Sequence, residues 1–240
     1  LGVEARIAKT DAALLAAVAL AMGALARLAV DPARKAMARL FWVSIGLGAL
    51  LKGPIVLIPT LGALGWRVAA ERSAAALKAL RPLEGIAIAL AVAAPWFVAI
   101  TLATEGEFWT RSVGDDMLAK VASGRESHGA PPGLYLAIFW GTFWPLAPLA
   151  PLAAVWLWRR RETLEGRFLL GWIVPTWVLF ELVATKLPHY VLPAYPAIAA
   201  AAAAMLASGA APDAPRWALR AILALFALPA VAIPLGAALA

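Results

Sequence analysis

Long apolar runs, separated by short basic clusters, leave this 240-residue chain few folds to choose from. Ala12 to Val30, Leu40 to Trp66, Ile86 to Thr104, Leu134 to Trp158, Phe168 to Ala184, Tyr190 to Leu206 and Trp217 to Ala240 are each almost free of charge. A bilayer core roughly 30 Å thick requires about 20 apolar residues per helical crossing. The hydrophobic share is 63%, the charged share 15% and the mean hydropathy +0.83, an excess that no soluble core of this size hides. The runs are rich in Ala and Leu and lack the two-residue alternation of barrel strands, so helices follow rather than a barrel. The expected fold is all-α: a polytopic transmembrane helical bundle of about eight helical segments, forming one transmembrane domain over 1–240.

Charge sets the orientation. The formal net charge of +7 argues against nucleic acid as a partner, because the basic residues stand in short clusters between apolar runs. Arg34, Lys35 and Arg39, then Arg67, Arg72, Lys78 and Arg81, then Arg159 to Arg161 are placed on the cytoplasmic side. The stretch 105–133 carries five acidic and three basic residues and is placed outside as a long periplasmic loop. Two basic ends flank the segment broken at Lys52-Gly53-Pro54, which implies an even number of crossings. We therefore expect a hairpin of two short helices, each of about 12–13 residues and shorter than a full crossing. Trp66, Trp109, Trp140, Trp144, Trp158 and Trp217 fall near span ends, as an aromatic belt requires. The chain starts without Met directly before a span, and is read as the carboxy-terminal part of a longer polypeptide.

Three features at the outer side carry possible chemistry. The turn Thr185-Lys186-Leu187-Pro188-His189-Tyr190-Val191-Leu192-Pro193 gathers an ammonium, an imidazole and a phenol within five residues, fixed by two prolines, a donor set suited to a phosphate diester or to plain interfacial anchoring. The 105–133 loop adds Lys120, Arg125, Glu126 and His128, and its Phe108 to Lys120 stretch reads as an amphipathic surface helix. Lys52 is a charge within an apolar segment and is read as snorkelling from the hairpin tip to the headgroups. Asp11 reads as a helix-start aspartate. The Ala197 to Ala204 run either lets helices approach closely or reflects only the Ala-rich composition, which we take as the simpler explanation. With no cysteine and only His128 and His189, no metal-ligand spacing exists, so no cofactor is expected and a divalent metal has little support.

Taken in order, Ala5-Arg6-Ile7-Ala8-Lys9-Thr10-Asp11-Ala12-Ala13-Leu14, Leu51-Lys52-Gly53-Pro54, His128-Gly129-Ala130-Pro131-Pro132 and Lys186-Leu187-Pro188-His189-Tyr190-Val191-Leu192-Pro193 resemble the aminoarabinose-transferase-like glycosyltransferases. These are bacterial relatives of the dolichyl-phosphate-mannose protein mannosyltransferases, and the likeness runs to about Met205. It implies a C-type fold that takes a sugar from a polyprenyl-phosphate carrier with inversion, in the bacterial inner membrane and on its periplasmic face. The acceptor would be lipid A, another glycan or a protein. The resemblance implies donor or phosphate contacts at Lys120, Lys186 and Tyr190, with His128 and His189 beside them; His189 stands where some members carry Thr. It places the catalytic carboxylate, a general base for the acceptor hydroxyl, upstream of Leu1, so these residues alone are expected to transfer no sugar. The competing functions are a polytopic transporter, suggested by the break at Lys52, and a non-catalytic membrane subunit. Against the transporter stands the lack of a second broken segment in the sequence pattern.

Overall fold

The computed structural model describes residues 10–110, 112, 130–209, 215–217 and 219–227. Its long elements are helices, and among the described residues three stretches are long and apolar enough to cross a membrane: Thr10–Val30, Lys35–Glu71, which is interrupted at Gly53, and Pro82–Ala103. Within lipid a backbone must satisfy its own hydrogen bonds, which Ala- and Leu-rich helices do. The chain is a multi-pass α-helical membrane protein.

Helix α1, Thr10–Val30, buries one face in the bundle. Leu14, Val18, Ala21, Leu25 and Leu28 recur at three- and four-residue intervals and are all buried. Helix α2, Lys35–Lys52, returns beside it after a turn at Asp31–Arg34, where the Asp31 carboxylate accepts from the Ala33 amide and the Arg34 guanidinium. At the far end of this pair Lys52 reaches Asp11. The two helices therefore run in opposite senses.

The break falls where the sequence placed it. Gly53 has φ +61°, a conformation that a side chain resists, and a short 3-10 turn, Gly53–Val56, carries the chain back. Val56 packs so closely on Gly48 that a Cβ there would lie 2.6 Å from its side chain. Helix α3, Leu57–Glu71, then descends toward the basic end. The hairpin is real, but its first arm differs from expectation. Lys35 and Arg39 lie inside α2, giving 18 residues, or about 27 Å, rather than 12–13.

Helix α4, Pro82–Ala103, starts at the basic end, where Glu84 pairs with Arg39 and Arg81 and the Trp42 indole donates to the Leu80 carbonyl. Most of its surface is bare: Leu83, Leu90, Val98 and Leu102 are among its exposed apolar side chains. The apolar run from Leu134 to Trp158 is not one helix. It divides into α5, Leu134–Thr142, and α6, Ala150–Arg159, with an irregular stretch between them. Pro145, Pro148 and Pro151 supply no amide hydrogen and crowd the preceding turn, which hydropathy alone does not register.

Helix α7, Leu164–Leu182, rises from the basic end, capped by the Thr163 hydroxyl, and helix α8, Tyr195–Ala207, descends again. On α8 the residues Ala197, Ala201, Ala202 and Met205 are buried in the main core with α1, so one face of the alanine run does serve close packing. Helices α3 and α7 approach through glycine. A Cβ on Gly171 would lie 2.6 Å from Trp66 Cβ and 3.0 Å from Ala63 Cα, whereas one on Gly65 would meet nothing within 4 Å. Gly171→Ala is expected to lower the melting temperature in detergent, by strain of about 1–3 kcal/mol. Gly65→Ala should leave it level or raise it, because alanine favours the helix. Equal melting temperatures for the two variants would contradict this packing.

Candidate functional site

Four polar side chains from three segments meet at the end of the bundle opposite the basic loops. Asp11 enters from the first turn of α1, Lys52 from the last residue of α2, and His189 and Tyr190 from the turn between α7 and α8. Lys52 Nζ lies 2.5 Å from Asp11 Oδ1, and His189 Nε2 lies 3.6 Å from Asp11 Oδ2. The Lys52 ammonium also stands 5.7 Å from the centre of the Tyr190 ring, within cation–π range. Leu14, Ile55, Phe180, Leu192 and Pro193 complete a shallow, open cleft around them.

The side chains of Asp11 and Lys52 retain 10% and 22% of their exposure. Asp11 does stand at a helix start, but its carboxylate turns inward to hold Lys52 rather than capping the backbone for solvent. Lys52, read from sequence as a snorkelling charge, is held at the hairpin tip by that carboxylate across 41 residues of sequence. An ammonium carries three donors, so pairing with Asp11 leaves others for an incoming acceptor. The cleft thus offers an ammonium, a phenol and an imidazole within one largely apolar wall, with the carboxylate already engaged. That arrangement suits a single anionic group attached to an apolar body.

The turn that carries His189 and Tyr190 is held from several sides. The Trp172 indole donates to the Pro193 carbonyl at 2.8 Å, and the Tyr190 and Leu192 amides donate to the carbonyls of Leu187 and His189. Lys186 is part of this framework rather than of the cleft. It is only 4% exposed, and its ammonium donates to the Val183 carbonyl. Of the residues proposed from sequence, His189 and Tyr190 come together in the cleft and Lys186 does not line it. Lys120 and His128 lie outside the described residues. Among the described residues no group of three or more His, Asp or Glu side chains could hold a metal ion.

Two residues that sequence reasoning left out of the site, Asp11 and Lys52, are central to it. The signal was present as two charges facing apolar runs, but their pairing is a long-range fact. Glu181 was missed as well. Its carboxylate, at the end of α7, accepts from the Gly133 amide at 2.7 Å and the Leu136 amide at 3.3 Å, at the start of α5.

An end-on polar cleft in a bundle of apolar helices belongs to a multi-pass membrane protein, and its fold is already known from solved structures. The crystal structure of ArnT from Cupriavidus metallidurans bound to undecaprenyl phosphate superposes with a TM-score of 0.72 at 20% identity, covering 82% of this chain and 36% of that one. The apo form of the same protein gives 0.68 at 19% identity. In sequence the chain is 33% identical over 158 residues to the undecaprenyl phosphate-alpha-4-amino-4-deoxy-L-arabinose arabinosyl transferase of Edwardsiella ictaluri (strain 93-146), and 32% identical over 158 residues to that of Enterobacter sp. (strain 638). Each match takes in 65% of this chain and 28% of the relative, so the chain spans under a third of the curated relatives' length. No family model matches it. The resemblance to the aminoarabinose-transferase-like glycosyltransferases holds both in sequence and in fold.

Proposed function

We propose that this chain forms the lipid-phosphate-holding part of a membrane glycosyltransferase, which moves a sugar from a polyprenyl-phosphate carrier to a lipid, glycan or protein acceptor with inversion. The observation that carries this reading is the convergence of Lys52, His189 and Tyr190 on one cleft at the end of an apolar bundle. A polyprenyl phosphate presents its charge at the bilayer boundary and leaves its chain in lipid, so a receptor for it needs cationic and hydroxyl donors at a span end. The relatives named for undecaprenyl-phosphate sugar transfer support the class of donor. Basic loops at the opposite end support a periplasmic placement of the cleft, at the outer side of an inner membrane. Lys120 and His128 are proposed to join the same headgroup, and the catalytic carboxylate to be supplied from outside these residues.

The transporter reading gains one observation, the second break between α5 and α6. That break, Phe143 to Leu149, holds only apolar residues and glycine-free backbone, with no charged group to receive an ion or polar substrate. The charged pair instead sits at the end of the bundle.

These 240 residues contain no cysteine, so a direct test is open in full-length protein whose cysteines elsewhere, if any, are replaced. Ile55 lines the cleft and is half-buried, so Ile55→Cys reports its occupancy. In spheroplasts carrying the full-length protein, a membrane-impermeant maleimide is expected to label this cysteine from outside. Undecaprenyl phosphate should slow the labelling several-fold, and undecaprenol, which lacks the charge, should not. Labelling that proceeds only after the membrane is breached would reverse the orientation, and equal protection by both lipids would remove the phosphate from the cleft.

A further inference from the structure

We propose that Glu181 is a positioning residue, a clasp that fixes α5 against the turn bearing His189 and Tyr190. The inference rests on reading that turn as part of the phosphate cleft.

The placement of Glu181 runs against its own helix. It lies in the last turn of α7, where the helix dipole disfavours a negative charge. The same carboxylate meets the start of α5, where two amides without helical partners point at it: Gly133 N donates to Oε2 and Leu136 N to Oε1. No side chain of α5 or of the residue preceding it caps that end. Gly133 has φ +101°, a conformation that leaves its amide free to face the carboxylate and that a side chain resists. A second contact reinforces the first, because the Ala130 amide donates to the Ala184 carbonyl at 3.4 Å. The end of α7 is thus joined to the residues leading into α5 at three points.

What α5 does with that fixed register bears on the cleft. Tyr135 and Phe139 of α5 are buried in one cluster with Val191, Leu192 and Tyr195, and Tyr190 packs against the same cluster. The wall behind the turn is therefore α5, and α5 is set in depth by Glu181. A loosened clasp lets α5 slide, and the Tyr190 phenol and His189 imidazole lose their support before any cleft residue has changed. Glu181 itself does not line the cleft.

Cross-linking tests the clasp apart from the ligand. Backbones bonded as at Ala130 and Ala184 put their Cα atoms about 5–6 Å apart, within disulfide reach. In the full-length protein, Ala130→Cys with Ala184→Cys is expected to oxidise readily. Adding Glu181→Ala should slow the reaction about tenfold or more, the factor for a lost charge-assisted hydrogen bond. Glu181→Gln keeps an acceptor in the same shape and should fall between. Undecaprenyl phosphate, measured by direct binding, should bind Glu181→Ala several-fold more weakly, and the oxidised 130–184 disulfide should restore it. An unchanged cross-linking rate in both variants overturns the clasp. Slowed cross-linking with unchanged undecaprenyl-phosphate affinity overturns the positioning role. Parent protein that binds no undecaprenyl phosphate overturns the phosphate reading instead, while slowed cross-linking in Glu181→Ala still supports the clasp.

Discussion

Lys52→Ala in the full-length protein is expected to lower the use of a polyprenyl-phosphate sugar donor by roughly 100-fold or more, the largest effect of any single change at the cleft. Two losses add. The phosphate forfeits a charge-assisted hydrogen bond worth about 1.5–3 kcal/mol, or roughly 10- to 150-fold. The Asp11 carboxylate, 2.5 Å from Lys52 in the native protein, is then left facing the incoming anion without its counter-ion. At an effective dielectric constant of about 20, two like charges 4 Å apart repel by roughly 4 kcal/mol, so even a wider separation adds to the loss. Lys52→Arg should rescue poorly, because a planar fork does not fit where a compact ammonium sits between a carboxylate and a phenol ring. Lys186→Ala provides the contrast. Its ammonium serves the Val183 carbonyl, so its removal should loosen the turn and lower stability more than it alters donor affinity. Donor kinetics for Lys52→Ala within twofold of the parent, in protein that folds normally, would take Lys52 out of the site.

The second large effect concerns stability, and it separates the ion pair from the ligand. Asp11→Ala leaves Lys52 as an unpaired cation at the end of an apolar bundle. Breaking one side of a buried pair costs about 3–5 kcal/mol, and the 22% exposure of Lys52 puts this case toward the lower figure. Asp11→Asn combined with Lys52→Met removes both charges and retains the volume. Its melting temperature is expected to recover most of what either single change loses, since apolar replacements of buried pairs are often neutral. The same double variant should remain unable to hold undecaprenyl phosphate. A full thermodynamic cycle measured in detergent gives the coupling, and strictly additive losses would mean that the two charges do not stabilise one another.

Much of the architecture can be read from residue order. Apolar length and basic clusters locate the helices, and Lys52-Gly53-Pro54 marks a genuine reversal because only glycine takes up φ +61° without strain and proline cannot continue the ladder. The interval from Leu134 to Trp158 misled for a physical reason: hydropathy measures transfer from water, whereas Pro145 and Pro148 act on backbone geometry. The site was legible in part. Pro188 and Pro193, in the turn with Lys186, His189 and Tyr190, advertised a rigid donor set, and two of those three side chains reach the cleft. Which of them faces inward depends on the Val183 carbonyl, a local backbone detail with no sequence mark. Asp11 and Lys52 each looked ordinary alone. Their meaning lies in a contact across 41 residues, and no periodicity encodes it. Glu181 was hidden in the same way, its partners lying 45 and 48 residues away.

The pairing of Asp11 with Lys52 also bears on the order in which the protein is made. Both charges belong to the adjacent helices α1 and α2, so they can neutralise one another as soon as that pair has left the ribosome. Tyr190 follows 138 residues later, which at about 5–20 residues per second is roughly 7–28 s of further translation. Throughout that interval the ammonium already has a counter-ion and need not be held in lipid as a bare cation. The carboxylate thus serves the nascent chain first, keeping Lys52 in place until the rest of its surroundings has been synthesised.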